Sequence, residues 1–202
     1  MSYKYTCDFN PDIDRGPRKN LLSIIEHLGV PRTYIEIGVY EGGTLFSLSD
    51  LITSNNFDIT MYAVDPHKGS TDLEDVDFTV IRENFEHNLT VCQNKNIHYI
   101  PKKSEDGLID LINQNVKAEL IYIDGDHKAG GVLTDLVLAW RLLSNGGIIM
   151  CDDSVTWQHK DKNGTKAAQM SPRMAIEMFI QCHWHELAPY PLLGHTAFMK
   201  IS

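Results

Sequence analysis

Acidic side chains, glycines and histidines recur at a few places along this chain where their spacing could do chemistry. Glu36-Ile-Gly38-Val-Tyr-Glu-Gly42-Gly43 sets a carboxylate before a glycine-rich turn, and Asp65-Pro-His67 follows about thirty residues later. Asp124-Gly-Asp126-His127 and Asp152-Asp153 complete the acidic set, with Ser104 between them in sequence. Collected at one rim, the carboxylates of Glu36, Asp65, Asp124, Asp126, Asp152 and Asp153 would repel one another unless some bind cations or hydroxyls. A lone aspartate at such a position more simply caps a helix or turn. For the whole set, capping is a poor explanation.

Elements that could gather these residues are visible as short apolar runs, each ending in Gly, Asp or Pro: Tyr34–Gly38, Met61–Asp65, Ile97–Pro101, Leu120–Asp124 and Ile148–Asp152. Runs this short and continuous predict parallel strands buried on both faces. Helical spacing separates them. Leu21, Ile24, Ile25 and Leu28 share one face, as do Val132, Leu133, Leu136, Val137, Trp140 and Leu143. The second helix should stop at Ser144-Asn-Gly-Gly147 in a left-handed cap. Pro172 should open a further helix through about Gln181, and His183–Leu187 and Ala197–Ile201 should form a closing hairpin joined by Ala188-Pro-Tyr-Pro191. The alternation predicts a doubly wound, mostly parallel seven-stranded sheet in a three-layer α/β/α fold, with a final antiparallel hairpin. Ligands of such sheets sit beyond the carboxyl ends of the strands, where all the residues above fall.

The chain has 202 residues and a net charge of −9, with 43% hydrophobic and 22% charged residues. One domain over 1–202 is expected, with an N-terminal extension at 1–17 and an active-site flap at 154–171. The negative charge disfavours nucleic acid and favours a small-molecule substrate. No apolar run could span a bilayer, and the N-terminus lacks the apolar core of a signal peptide, so a cytoplasmic protein is expected. Four scattered cysteines read as free thiols.

The first turn is informative by comparison. A dinucleotide fingerprint, G-x-G-x-x-G, needs its middle glycine for backbone approach to a pyrophosphate. Here Val39 and Tyr40 take that place, and Glu41 brings a further negative charge. The turn suits a ligand with a cationic amino group and no phosphates, while Asp65 could accept ribose hydroxyls.

Glu36 to Gly43 resembles the first motif of class I S-adenosylmethionine-dependent methyltransferases, and Ala63-Val-Asp65 resembles the second. Leu120-Ile-Tyr-Ile-Asp124-Gly-Asp126-His127 and Leu143–Asp153 resemble the subfamily that contains macrolide and aminocoumarin sugar O-methyltransferases. The resemblance implies that Gly38, Gly42 and Gly43 line the methionine part of S-adenosylmethionine with Glu36 beside it. It implies that Asp65 holds the ribose and Ser104 flanks the adenine. Asp124, Asp152 and Asp153 match the carboxylates that hold a divalent metal, with Asp124 also near the cofactor; Asp126 matches the general base; and His127 is common in the subfamily. A carboxylate-only set suits a hard cation such as Mg²⁺, which would lower the pKa of a substrate hydroxyl. His67 is expected to close over the cofactor.

The resulting expectation is metal-assisted O-methylation of a small hydroxylated molecule, a sugar or secondary metabolite. A non-catalytic S-adenosylmethionine-binding sensor or partner domain, and a nicotinamide-dependent oxidoreductase of similar fold, are the rivals. Met170, Met174, Met178 and Phe179 read as core or as a subunit interface, which leaves a homo-oligomer open. His183, Trp184, His185, Trp157 and His159 read as structural or solvated.

Overall fold

The computed structural model describes residues 2–6, 16–69, 76–154 and 171–202. The elements alternate as α1 (Pro17–Leu28), β1 (Thr33–Ile37), α2 (Gly43–Ser54), β2 (Thr60–Val64), α3 (Phe78–Val91), β3 (Ile97–Ile100), α4 (Ser104–Asn113), β4 (Ala118–Ile123), α5 (Ala129–Leu142), β5 (Leu143–Cys151), α6 (Pro172–Cys182), β6 (Leu187–Tyr190) and β7 (Thr196–Lys200). Pro17 and Pro172 start their helices where a missing N–H costs nothing. Asp77 caps α3 by accepting the Thr79 N–H.

The strand order is β3-β2-β1-β4-β5-β7-β6. Strands β1 to β5 pair in parallel, while β7 runs antiparallel to both β5 and β6. This is the expected seven-stranded, doubly wound sheet. The chain leaves β1 toward β2 on one side and reaches β4 on the other, which puts the switch point between β1 and β4.

Period-two alternation divides the core. Ile35, Ile37, Ile121, Ile123 and Ile149 pack with Leu108, Leu136, Ile176 and Phe179 of α4, α5 and α6. Tyr34, Met61, Leu120, Tyr122 and Met150 pack with Leu21, Leu45, Phe46 and Phe85 of α1, α2 and α3. The sheet is therefore buried on both faces, as its near-continuous apolar strands require.

Four local expectations are corrected. Strand β5 begins at Leu143, not Ile148, and α5 ends with Leu143 already extended. Leu143 pairs with Ala118 and Ile148 with Leu120, so Ser144–Gly147 stand opposite Glu119 alone in an irregularity of the ladder, with Gly146 at φ 79° inside it. Burial of Leu142 and Leu143 draws the chain straight into the sheet and leaves no room for a separate cap. Strand β6 is Leu187–Tyr190, and His183–Glu186 instead form a turn in which the His183 ring packs on Phe179 and Trp140. Pro189 is tolerated there because β6 is the sheet edge. On α5, Val132, Leu136 and Trp140 are buried, but Leu133 and Val137 are exposed, as are Met174 and Met178 on α6. Among the described residues, Cys92, Cys151 and Cys182 are free, and no helix is long and apolar enough to cross a membrane.

Candidate active site

The alternation that builds the core also lays down a polar row. Tyr34 and Tyr122 face the α1–α3 layer, so Glu36 and Asp124, two residues further along β1 and just past β4, face the same way. Met150 does likewise on β5, which places Asp152 beside them. Glu36 is only 2% exposed and accepts a 2.6 Å bond from the Tyr34 hydroxyl. Burial, with Asp65 adding to it, pushes its carboxyl up to about 8 against the opposing Tyr34 bond.

Gly38 sits at the crossing of three strand ends. Its N–H donates to the Val64 carbonyl at 2.9 Å, and the Asp124 N–H donates to Ile37 at 2.8 Å. A Cβ at Gly38, where φ is +80°, would lie 2.1 Å from the Asp124 carbonyl oxygen. Only glycine allows this approach. Gly42 caps α2 and Gly43 opens it.

Asp65 holds the turn from the neighbouring strand. Its Oδ2 accepts the N–H groups of Val39 and Tyr40 at 2.9 and 3.0 Å, and its Oδ1 that of His67 at 2.7 Å. The His67 side chain is buried, with Nε2 2.7 Å from the Tyr40 carbonyl and Nδ1 2.7 Å from the Tyr99 hydroxyl. The carbonyl must accept, so Nε2 carries the proton and Tyr99 donates to Nδ1. Both nitrogens are thus committed to bracing the turn, and the ring is not presented to a ligand. Glu41 is also turned inward. It takes the Thr6 N–H and the Asn84 amide, and its charge does not reach the turn's open face. Residues 2–6 are strapped down further by the Tyr3 hydroxyl on Asp50 and by Asn88 on both backbone groups of Lys4.

Beyond β4 and β5, Asp124, His127 and Asp153 bring one ligand atom each within 4.8 Å of one another. His127 Nε2 is 3.1 Å from Asp153 Oδ2, and Asp153 adopts the left-handed φ of 52°. Asp152 is held by protein donors: its Oδ2 by the Tyr122 hydroxyl at 2.7 Å, its Oδ1 by the Asp153 N–H at 2.8 Å. Burial raises Asp152, but bonds from His195, Tyr122 and the Asp153 N–H outweigh it and leave the carboxyl below its usual range. Asp124 stands well above that range, through burial and then the charges of Asp152, Asp153 and Glu36. Asp153 is raised by burial and by Asp152, against the histidines. Two oxygen donors, an imidazole and crowded negative charge fit a divalent cation.

Asp126 lies apart from this cluster. Its Oδ1 accepts the Lys128 N–H at 3.1 Å, and its side chain folds back over Gly131 at the start of α5. Ser104 is the first residue of α4, beside the buried carboxylate of Asp135. The flap residues 155–170, including Trp157 and His159, lie outside the described residues, as do Met170 and most of the 1–17 extension.

Sequence reasoning missed Tyr122, His195 and Asn20. Tyr122 was detectable, because it lies two residues before Asp124 on the same strand face. His195 carries no such signal. It reaches Asp152 from the connection before β7, with Nε2 3.1 Å from Oδ1.

Residues 35–154, more than half of the chain, match the family model described as a methyltransferase domain. An uncharacterised protein of Acanthamoeba polyphaga mimivirus is 26% identical over 125 residues, 60% of this chain and 51% of the relative, so the chain spans about half the length of the curated relative it matches. Among solved structures, the O-methyltransferase from Bacillus cereus in complex with SAH superposes with a TM-score of 0.64 at 17% identity, covering 94% of this chain and 84% of that one. The O-methyltransferase NovP gives 0.63 at 14%, covering 92% and 78%. The calicheamicin methyltransferase CalS11 gives 0.61 at 14%, covering 91% and 76%. At these identities the likeness establishes the fold.

Proposed function

From the premise that the chain belongs to the methyltransferase-domain family, we propose that it is a class I S-adenosylmethionine-dependent enzyme that methylates a hydroxyl oxygen of a small molecule, a sugar or secondary metabolite, beside a bound divalent cation. The observation that carries the reading is the convergence of Glu36, Asp124, His127, Asp152 and Asp153 at the carboxyl ends of β1, β4 and β5, next to the switch point. The negative charge of −9 fits a small molecule better than nucleic acid.

Each residue then has a task. Gly38, Gly42 and Gly43 shape the turn around the methionine end, and Glu36 meets its amino group. Asp65, whose oxygens keep lone pairs beyond the N–H groups they accept, meets the ribose hydroxyls, and Ser104 borders the adenine. Asp124, Asp152 and Asp153 would hold a cation, joined by His127, whose ligand atom lies within 4.8 Å of those of Asp124 and Asp153. The cofactor supplies an already activated methyl group, so positioning does most of the work. A cation here would add Lewis acidity, easing loss of the substrate proton. The His127–Asp153 pair accepts that proton, with Nε2 facing the Asp153 carboxylate at 3.1 Å; Asp126, the base implied by resemblance, is turned toward the start of α5.

Calorimetric titration with S-adenosylmethionine and with NAD, each with and without Mg²⁺, tests the reading. S-adenosylmethionine binding that persists without the metal is expected; tight NAD binding with none of S-adenosylmethionine overturns it. The 3.1 Å pairing of His127 with Asp153 also favours a second reading, metal-independent transfer with this pair as the base. Exhaustive chelation separates the two, since full turnover afterwards selects the second.

A further inference from the structure

We propose that His195 is a positioning residue for Asp152, braced by Asn20 and acting on the cation-holding carboxylates. The inference rests on the cation reading above.

His195 lies in the connection between β6 and β7, more than forty residues from Asp152 in sequence, yet its Nε2 is 3.1 Å from Asp152 Oδ1. The side chain is only 7% exposed, and Nε2, shielded from solvent and without a well-aligned hydrogen bond, has its polar contact in the 3.1 Å approach to Asp152 Oδ1. That shielding separates its role from that of His127: a substrate hydroxyl cannot reach the nitrogen, so His195 acts through Asp152. Its orientation is set from behind. Asn20, on α1 and buried, donates through Nδ2 to the Leu193 carbonyl at 2.9 Å, which fixes the direction of the amide. The same Nδ2 stands 2.7 Å from His195 Nδ1. Nδ1 also stands 3.3 Å from the Leu193 carbonyl, but the closer amide N–H makes it the acceptor in the neutral ring, whose proton then lies on Nε2, facing the carboxylate.

Asp152 thereby has a polar partner at each oxygen: Oδ1 accepts the Asp153 N–H and faces His195 Nε2 at 3.1 Å, and Oδ2 accepts the Tyr122 hydroxyl. A carboxylate held this way has lost the freedom to turn from its neighbours. Partners that orient a metal ligand commonly change affinity by about 10–100-fold when removed.

The test is Mn²⁺ binding, read by the electron paramagnetic resonance signal of the free ion, in the full chain and in His195→Leu, His195→Gln and Asn20→Ala. Thermal melts and S-adenosylmethionine titrations run in parallel. Gln can place an N–H near the position of Nε2, so it separates a donor from a space-filler. The expected result is at least tenfold weaker Mn²⁺ binding in His195→Leu, recovery to within about threefold in His195→Gln, a smaller loss in Asn20→Ala, and S-adenosylmethionine affinity unchanged within about twofold. Mn²⁺ affinity in His195→Leu equal to wild type overturns the proposal. So does parallel loss of S-adenosylmethionine and Mn²⁺ binding in both His195 variants, because that marks a purely structural residue. Should the unmodified chain take up no Mn²⁺, the cation reading itself fails and this inference falls with it, a result seen before any variant is compared.

Discussion

The hydroxyl of Tyr122 donates to Oδ2 of Asp152 across 2.7 Å and ties the end of β4 to the end of β5. The same oxygen stands 3.2 Å from Asp124 Oδ2, so one buried phenol serves both aspartates. Burial and the two carboxylates hold its proton on. Tyr122 thus fixes the spacing of groups that would otherwise repel.

Tyr122→Phe keeps the ring and removes only this donor. Stability should fall by about 1–2 kcal/mol, the cost of withdrawing a partner from a charged, half-buried acceptor. Urea denaturation measures that loss, and Mn²⁺ binding should weaken with it. An unchanged midpoint and unchanged binding would mean that the aspartates hold their places unaided.

His127 and Asp126 compete for the role of base, and single substitutions separate them. With His127→Ala, kcat should drop by roughly 10²–10⁴-fold, the usual contribution of a positioned proton acceptor. Asp126→Asn keeps an oxygen for the Lys128 N–H and should cost less than about tenfold. The reverse order in steady-state rates would return the role to Asp126.

At Gly38 the constraint is steric and conformational together. Gly38→Ala puts a methyl 2.1 Å from the Asp124 carbonyl oxygen at φ +80°. Folding stability should fall by roughly 3 kcal/mol. S-adenosylmethionine binding should go with it, since the turn and the end of β4 must part. A melting temperature close to wild type would contradict the packing described.

Asp135 gives the stability of the protein a pH signature. This carboxyl is 1% exposed, and burial pushes it from 3.8 up to about 6, against Ser104 and helped by Asp126 and Glu105. Its folded pKa lies above the unfolded one, so the folded state keeps a proton that the unfolded chain has shed. The associated stability is complete below about 3.8 and is lost as pH rises through about 6. Asp135→Asn cannot ionise and should be more stable than wild type at pH 7, by on the order of 2 kcal/mol. The advantage should shrink as pH falls from 6 toward 4. Melts across that range test it, and a constant difference at every pH would show that Asp135 does not titrate there.

The sequence by itself determined the fold class and the rim at which the candidate residues gather. Short apolar runs closed by Gly, Asp or Pro specify parallel strands, and their carboxyl ends are where such sheets bind ligands, so Glu36, Asp65, Asp124 and Asp152 could be assigned to one rim. Those are properties of local pattern and of chain direction. Where the competing contacts are long-range, local pattern failed. Ser144–Gly147 has every mark of a helix cap but lies within β5, because Leu143 finds its partner in Ala118. His67 and Glu41 have the chemistry to meet a ligand but are spent on Tyr40, Tyr99, Thr6 and Asn84. Asp126 and His127 are adjacent in sequence, yet one folds back over α5 and the other turns to Asp153. His195 joins Asp152 only because β7 returns antiparallel to β5. Tertiary structure decided these four because a polar side chain takes whichever partner burial leaves it, and that partner is set by how strands and helices close in space.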